Sequence, residues 1–302
     1  YYRNLKKVDV NSAGLRRNTH RLEKALIMEP RRKSFALSYI EETVEIYEMV
    51  VNSKLIGLPV DPNELHWATD VLAAYFDAVE NDDFITRLKQ RYQESASKVN
   101  IKKDKQAHAP FKRSESPENP VEFKDLLQLA NRRRSVRWFK KKKVPRKLID
   151  QALLVARQSP SACNRQPFEF RIFDDPKKVK AVASLPFGAE GYAHNIQTVV
   201  VVVGKQDYYF SSRDRHVIYI DASLAVMAFM LALETLGLAS SSINWPDFEP
   251  LELKMQKLLG LKTRDRVVMM MAIGYERDDG GIPYSEKKTL DALRSYNKLA
   301  DE

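Results

Sequence analysis

Ser159-Pro160-Ser161-Ala162-Cys163-Asn164-Arg165-Gln166-Pro167 is the stretch that decides how this 302-residue chain is read. Two prolines stiffen the backbone, and the residue before Pro160 avoids the α region, so a helix must end there. That helix opens at Pro145, with Ile149, Ala152, Leu153 and Ala156 facing inward. A strand over 168–173 follows the loop. Ser159, Ser161, Asn164 and Gln166 put donors and acceptors at close spacing, which suits the edge of a planar heterocycle. A helix-capping turn uses the same residue types.

Upstream stands Arg133-Arg134-Ser135-Val136-Arg137. Guanidinium groups grip phosphate bidentately and a serine hydroxyl adds a short donor bond. In an extended stretch, residues two apart project the same way, so Arg133, Ser135 and Arg137 would line one elongated anion. The plain alternative is a basic helix end favoured by its dipole. With Lys140-Lys141-Lys142-Lys143, a net charge of +10 and a pI near 9.4, the arginines also raise the class of nucleic-acid or acidic-polymer binders. There is no zinc-finger spacing, aromatic RNA-binding motif or basic heptad region, and a small anionic cofactor accounts for the arginines more economically.

Working outward, the valine-rich run 198–203 and the run 267–273 have the length of buried strands. A helix is expected over 121–133, another over 176–185, a long apolar one over 214–236 and another over 249–259, with a strand at 239–243. Alternating helices and buried strands indicate a layered architecture. The first hundred residues read as helices. Ile40, Val44, Tyr47, Val51 and Leu55 share one face, Asp61-Pro62-Asn63-Glu64 starts a helix, and another covers 83–98. Residues 100–120 are polar and aperiodic. The expected organisation is a helical part at 1–99, a linker at 100–120 and a layered domain at 121–302.

Hydrophobic residues make up 44% of the chain and charged ones 30%, enough for a sizeable core. No window approaches the roughly 18 apolar residues a membrane span needs. The single cysteine, Cys163, excludes an intrachain disulfide and a cysteine-based metal cluster. His20, His66, His108, His194 and His216 show no metal-ligand spacing, so no metal is expected. A reduced compartment, the cytoplasm, is the expected location. The chain begins at Tyr1 and is expected to be the trimmed remainder of a longer one.

In order and spacing, the two constellations resemble the nitroreductase family, which pairs an Arg-Arg-Ser-x-Arg-like stretch with Ser-Pro-Ser-x-x-Asn-x-Gln-Pro. Further matches follow at Asp221-Ala222-Ser223, Leu236-Gly237-Leu238-Ala239-Ser240, Leu258-Leu259-Gly260-Leu261, Ile273-Gly274-Tyr275 and Lys287-Lys288-Thr289-Leu290-Asp291. The resemblance covers roughly 121–302 and implies an α+β, three-layer α/β/α flavoprotein fold preceded by an all-α N-terminal domain. It also implies an oxidoreductase, a homodimer with FMN at its interface, and two-electron reduction by NADH or NADPH. Arg133 and Ser135 would hold the phosphate end, with Arg134 a further cofactor contact. Arg137 would sit by the flavin N1/C2 edge and tune its potential, and Lys287 stands where the family has a phosphate-binding arginine. Ser159, Pro160, Ser161 and Asn164 would line the ring, partly from the partner subunit, with Gln166 and Asn195 as further contacts.

No side chain reads as a general acid, so the flavin carries the hydride and solvent the proton. The expected acceptor is a small electrophile of the nitro, quinone or enone kind, and Asn164 with Gln166 disfavours the flavin-fragmenting and dehalogenating branches. A non-catalytic flavin-binding module acting through a partner is the alternative. Phe168 for Trp, Ala239 for Gly, Lys287 for Arg and Thr289 for Pro depart from the pattern. Residues Arg17 to Leu26 are similar to the His-Arg-Leu-Glu-Lys-Gly-Leu opening of nitroreductase-like proteins found beside polysaccharide-biosynthesis genes. His20 there reads as a substrate contact or a locally bonded helix residue.

Overall fold

The computed structural model describes residues 10–101 and 106–300. Its first part is helical. The Ser12 hydroxyl caps α1 (Ala13–Leu26) by accepting from Leu15 N. α2 (Ile40–Leu55) follows, then α3 (Pro62–Ala78), capped by Asp61 with proline in its first turn, and α4 (Asp83–Ala96), capped by Asp82. Leu15, Leu22, Val44, Tyr47, Leu65, Leu72, Phe76 and Leu88 close a core of their own. The segment expected as a linker, 100–120, holds only the 3₁₀ turn Arg113–Glu115 among its described residues; 102–105 lie outside them.

The second part runs α5 (Phe123–Arg132), α6 (Arg146–Ala156), β1 (Phe168–Phe173), α7 (Pro176–Ala183), β2 (Thr198–Lys205), α8 (Val217–Thr235), β3 (Ala239–Asn244), α9 (Glu249–Leu259), β4 (Asp265–Gly274) and the short α10 (Leu290–Leu293). The sheet order is β1-β2-β4-β3, antiparallel throughout. β2 is buried on both faces, which its unbroken valines require. Val200 and Val202 meet Ile149 and Ala152 of α6 and Ala222, Val226 and Phe229 of α8. Val199, Val201 and Val203 meet Val179 and Val182 of α7 and Leu251 and Met255 of α9. Helices thus cover both faces, giving the three-layer α+β fold.

One expectation is corrected here. Residues 212–235 are long and apolar enough to cross a membrane. Asp221, Ser223 and Glu234 interrupt the apolar run, so a search for unbroken stretches passes over it. The inward face of α8, through Ile218, Ala222, Val226, Phe229 and Leu233, is buried against the sheet.

Candidate active site

The arginine segment lies along the outer edge of β3. Gly237, at φ 71°, ends α8 and turns the chain into β3, a conformation that glycine adopts without a Cβ penalty. Ser135 then pairs in parallel with Ser240, and Val136 N donates to Ser240 O at 3.0 Å. Val136 turns into the core while Ser135 and Arg137 on either side stay half-buried outside it, the alternation of an extended stretch; Phe139, three residues on from Val136, breaks that alternation and is also buried in the core. Arg137 stands 5.7 Å from the centre of the Tyr192 ring, and its carbonyl accepts from Asn195 Nδ2 at 2.7 Å. Arg133 Nε, Ser240 Oγ and Ser241 Oγ are buried without a hydrogen-bond partner. Buried donors are costly unless satisfied, so this edge is built for a polar ligand. Arg134 lines a pocket of about 330 Å³ with Arg132, Glu234, Glu276 and Arg277.

The proline-bounded loop is strained. Cys163, Asn164 and Gln166 have φ of 52°, 48° and 48°, left-handed values that cost roughly 1 kcal/mol or more per residue. Its own polar groups hold it there. Gln166 N donates to Ser161 Oγ (3.0 Å), Asn164 N to Ser161 O (2.9 Å), and Gln166 Nε2 to Asn164 Oδ1 (3.1 Å). Ser159 Oγ donates to Leu224 O at 3.3 Å, and Pro160 beside it is exposed.

Two anchors were not assigned from the sequence. Asp221, 3% exposed, accepts from Ala162 N and from the Tyr209 hydroxyl, both at 3.0 Å. Burial pushes its carboxyl above the usual range, against the lowering effect of those two bonds. Arg16 of α1 donates from Nε to Asn164 O (3.0 Å) and from Nη1 to the buried Glu64 (3.1 Å), so the helical part grips the loop directly. A carboxylate on the inward face of an apolar helix was the available signal for Asp221. Arg16 gave none, because its partner is 148 residues away.

Among the described residues, no hydrogen bond or ion pair joins the two constellations within one chain. The loop is tied to Asp221 and Leu224 on α8, whereas Arg132 reaches Glu234 on the same helix at 3.5 Å. At about 1.5 Å per residue, Asp221 and Glu234 stand about 20 Å apart along the helix, and Leu224 and Glu234 about 15 Å. Asn195 joins the arginine segment. Lys287 lies in the exposed C-terminal segment, with Nζ on Ser285 O at 3.1 Å. His20 Nδ1 sits 3.1 Å from Glu23 Oε2, a local helix contact.

Elsewhere, at α3, potential ligand atoms of His66, Asp70 and His108 lie within 4.8 Å of one another. The two rings stack at 4.1 Å and His108 N donates to Asp70 Oδ2, which seats the connecting segment on α3. No local spacing could reveal a group assembled from a helix and a loop.

An antiparallel sheet covered by helices on both faces, flanked by an arginine-serine edge and a strained polar loop, defines a three-layer α+β fold. The sequence matches the model of the Nitroreductase family over residues 130–191 and 184–275. An iodotyrosine deiodinase of Thermotoga neapolitana is 30% identical over 173 residues, covering 52% of this chain and 91% of that protein. Human iodotyrosine deiodinase 1 is 21% identical over 216 residues, covering 62% of this chain and 74% of its own length. The structure of an FMN-dependent nitroreductase from Clostridium difficile superposes with a TM-score of 0.50 at 21% identity, covering 57% of this chain and 99% of that one. The chain belongs to the nitroreductase family. Relatives named as deiodinases run against the expectation that disfavours dehalogenation: Asn164 and Gln166 are bonded to the loop itself and do not report which acceptor is used.

Proposed function

We propose that this chain is an FMN-dependent oxidoreductase that passes hydride from NADH or NADPH to a small electrophilic acceptor. The observation that carries the reading is the arginine edge itself: Ser135 pairs with Ser240, and Arg133 Nε and Ser240 Oγ are both buried without a hydrogen-bond partner. A phosphate with several acceptor oxygens suits this edge, and Arg133 and Ser135 would hold it, with Arg134 beside them. When bound, FMN supplies two-electron chemistry between a nicotinamide and the acceptor. Arg137, fixed through its carbonyl by Asn195, provides a permanent positive charge, and a cation beside a redox ring favours the reduced, more negative state. The loop Ser159–Pro167 would present a rigid polar wall. No side chain is assigned a proton transfer, which falls to solvent.

The anchoring of the loop at Asp221 and Leu224, and of Arg132 ten to thirteen residues further along α8 at Glu234, supports a homodimer in which one protomer gives the arginine edge and the other the loop. So do the exposed apolar side chains Phe123, Leu126 and Leu127 on α5, Ile220, Leu224 and Met227 on α8, and Tyr284, Leu290 and Tyr296 on the C-terminal segment. Lys287 of that segment would reach the phosphate in the same assembly. The division into a helical domain (1–99), a connecting segment (100–120) and a flavin domain (121–302) belongs to this proposal.

Reductive dehalogenation of an aromatic acceptor is a second reading, favoured by the deiodinase relatives. Rapid mixing of the FMN-loaded protein with NADH or NADPH under anaerobic conditions tests the proposal. Bleaching of the visible flavin band is expected, with recovery on adding a nitroarene or quinone. A band that persists makes the protein a flavin-binding module, and recovery only with a halogenated phenol selects the second reading.

A further inference from the structure

Against the loop Ser159–Pro167, α1 and its surroundings gather three arginines. Each guanidinium faces an aromatic ring: Arg17 is 5.8 Å from Phe210, Arg21 3.5 Å from Tyr39 and Arg165 5.2 Å from Tyr209. Arg17 and Arg21 both donate from Nη1 to the single amide oxygen of Asn18, at 3.0 and 3.2 Å, which brings two like charges close together. Arg165 is 5% exposed; its Nη1 donates to Ala162 O, while its Nε is buried without a partner.

Among the described residues no carboxylate comes within 4.0 Å of any of the three guanidiniums. The neighbouring acids are engaged elsewhere. Glu42 accepts from Asn18 Nδ2, Asp221 from Tyr209 and Ala162, and Asp214 is paired with Arg213 at 3.7 Å. Burial first, and then the charge of Arg17, holds both Arg21 and Arg165 below the usual guanidinium value. Glu42 acts on Arg21 and Asp214 on Arg165 only through space, neither within 4.0 Å, so the three cations are crowded without a direct ion pair, and an anion placed among them relieves the repulsion.

We propose that Arg17, Arg21 and Arg165 form a recognition site for a carboxylate or phosphate group carried by the electron acceptor. This rests on the reading of Ser159–Pro167 as a flavin wall. Arg17 and Arg21 present planar forks suited to such an oxyanion, Tyr39 and Phe210 form apolar walls for the body of the molecule, and Arg165 adds a third positive charge coupled to Arg17. The helical part, through the segment Arg17–Arg21, thereby selects which electrophiles reach the flavin.

The test uses the FMN-loaded protein and three acceptors of one chemistry at saturating reductant: nitrobenzene, 4-nitrobenzoate and 4-nitrophenyl phosphate. A charged acceptor is expected to have the higher kcat/KM, and which of the two does so separates carboxylate from phosphate. In Arg17→Gln and in Arg21→Gln the ratio of charged to neutral kcat/KM should fall roughly ten-fold, about the worth of one charge-assisted hydrogen bond. Arg→Lys at either position should recover part of it. A ratio unchanged by either glutamine variant, or an effect confined to the KM of NADH or NADPH, overturns the proposal. Equilibrium titration of 4-nitrobenzoate or 4-nitrophenyl phosphate into the oxidised holoprotein, followed by the flavin absorbance, needs no turnover. Binding there that weakens in the variants upholds this site even if the protein reduces nothing, and absence of binding for both anions overturns it.

Discussion

At the scale of the residue, Asp221 shows how one buried charge ties the core to the site. It interrupts the apolar inner face of α8, yet it holds the backbone of the loop through Ala162 N and is itself held by Tyr209. Burial raises its carboxyl above the ordinary value near 3.9. Between that value and its folded one, the native state binds more protons than the unfolded state. Stability contributed by this group is therefore complete below the window and falls as pH rises through it, by at most about 1.4 kcal/mol per pH unit. Asp221→Asn should remove that slope while keeping an oxygen that accepts both bonds. Urea unfolding of both proteins from pH 3 to 7 checks this: the difference should move in favour of the variant as pH rises, and a difference independent of pH would refute the assignment.

At the scale of the element, α1 is fastened by Arg16, which bridges Glu64 and the carbonyl of the left-handed Asn164. Glu64 is buried, and it also accepts from Ser12 N at 2.7 Å and from Asn11 Nδ2 at 2.9 Å. Arg16→Ala strands that carboxylate and frees the loop, and should cost roughly 2–4 kcal/mol in urea unfolding, with weaker FMN binding. A loss below about 0.5 kcal/mol would mean that the bridge carries no load. The elements themselves were legible. β1 and α9 stand where proline punctuation and apolar periodicity put them, and the Asp61-Pro62 start of α3 is a true cap. The sequence also held both halves of the candidate site, because arginine-serine and serine-proline-asparagine patterns are local chemistry. It did not show that β1 to β4 pair only antiparallel, nor that α1 lies on the loop. Both are long-range facts, set by packing between segments that share no pattern. Cys163 and Asn164 being left-handed was hidden too, since neither is glycine.

At the scale of the whole molecule, the proposed dimer joins two halves of one flavin cradle: the loop held at one end of α8 and the arginine segment along β3. The exposed apolar side chains of α5, α8 and the C-terminal segment are the surface that such a dimer would bury. Separately tagged Arg133→Ala/Arg137→Ala and Ser161→Ala/Asn164→Ala chains, co-expressed and purified as the mixed dimer, test this most directly. Each variant alone damages every cradle, but in the mixed dimer one cradle draws its arginines and its loop from unaltered halves. The measurement is the FMN content of the mixed dimer against that of each parent. The account predicts parents nearly free of flavin and about one FMN per mixed dimer. A mixed dimer as empty as its parents would place both halves of the cradle in the same chain and contradict it.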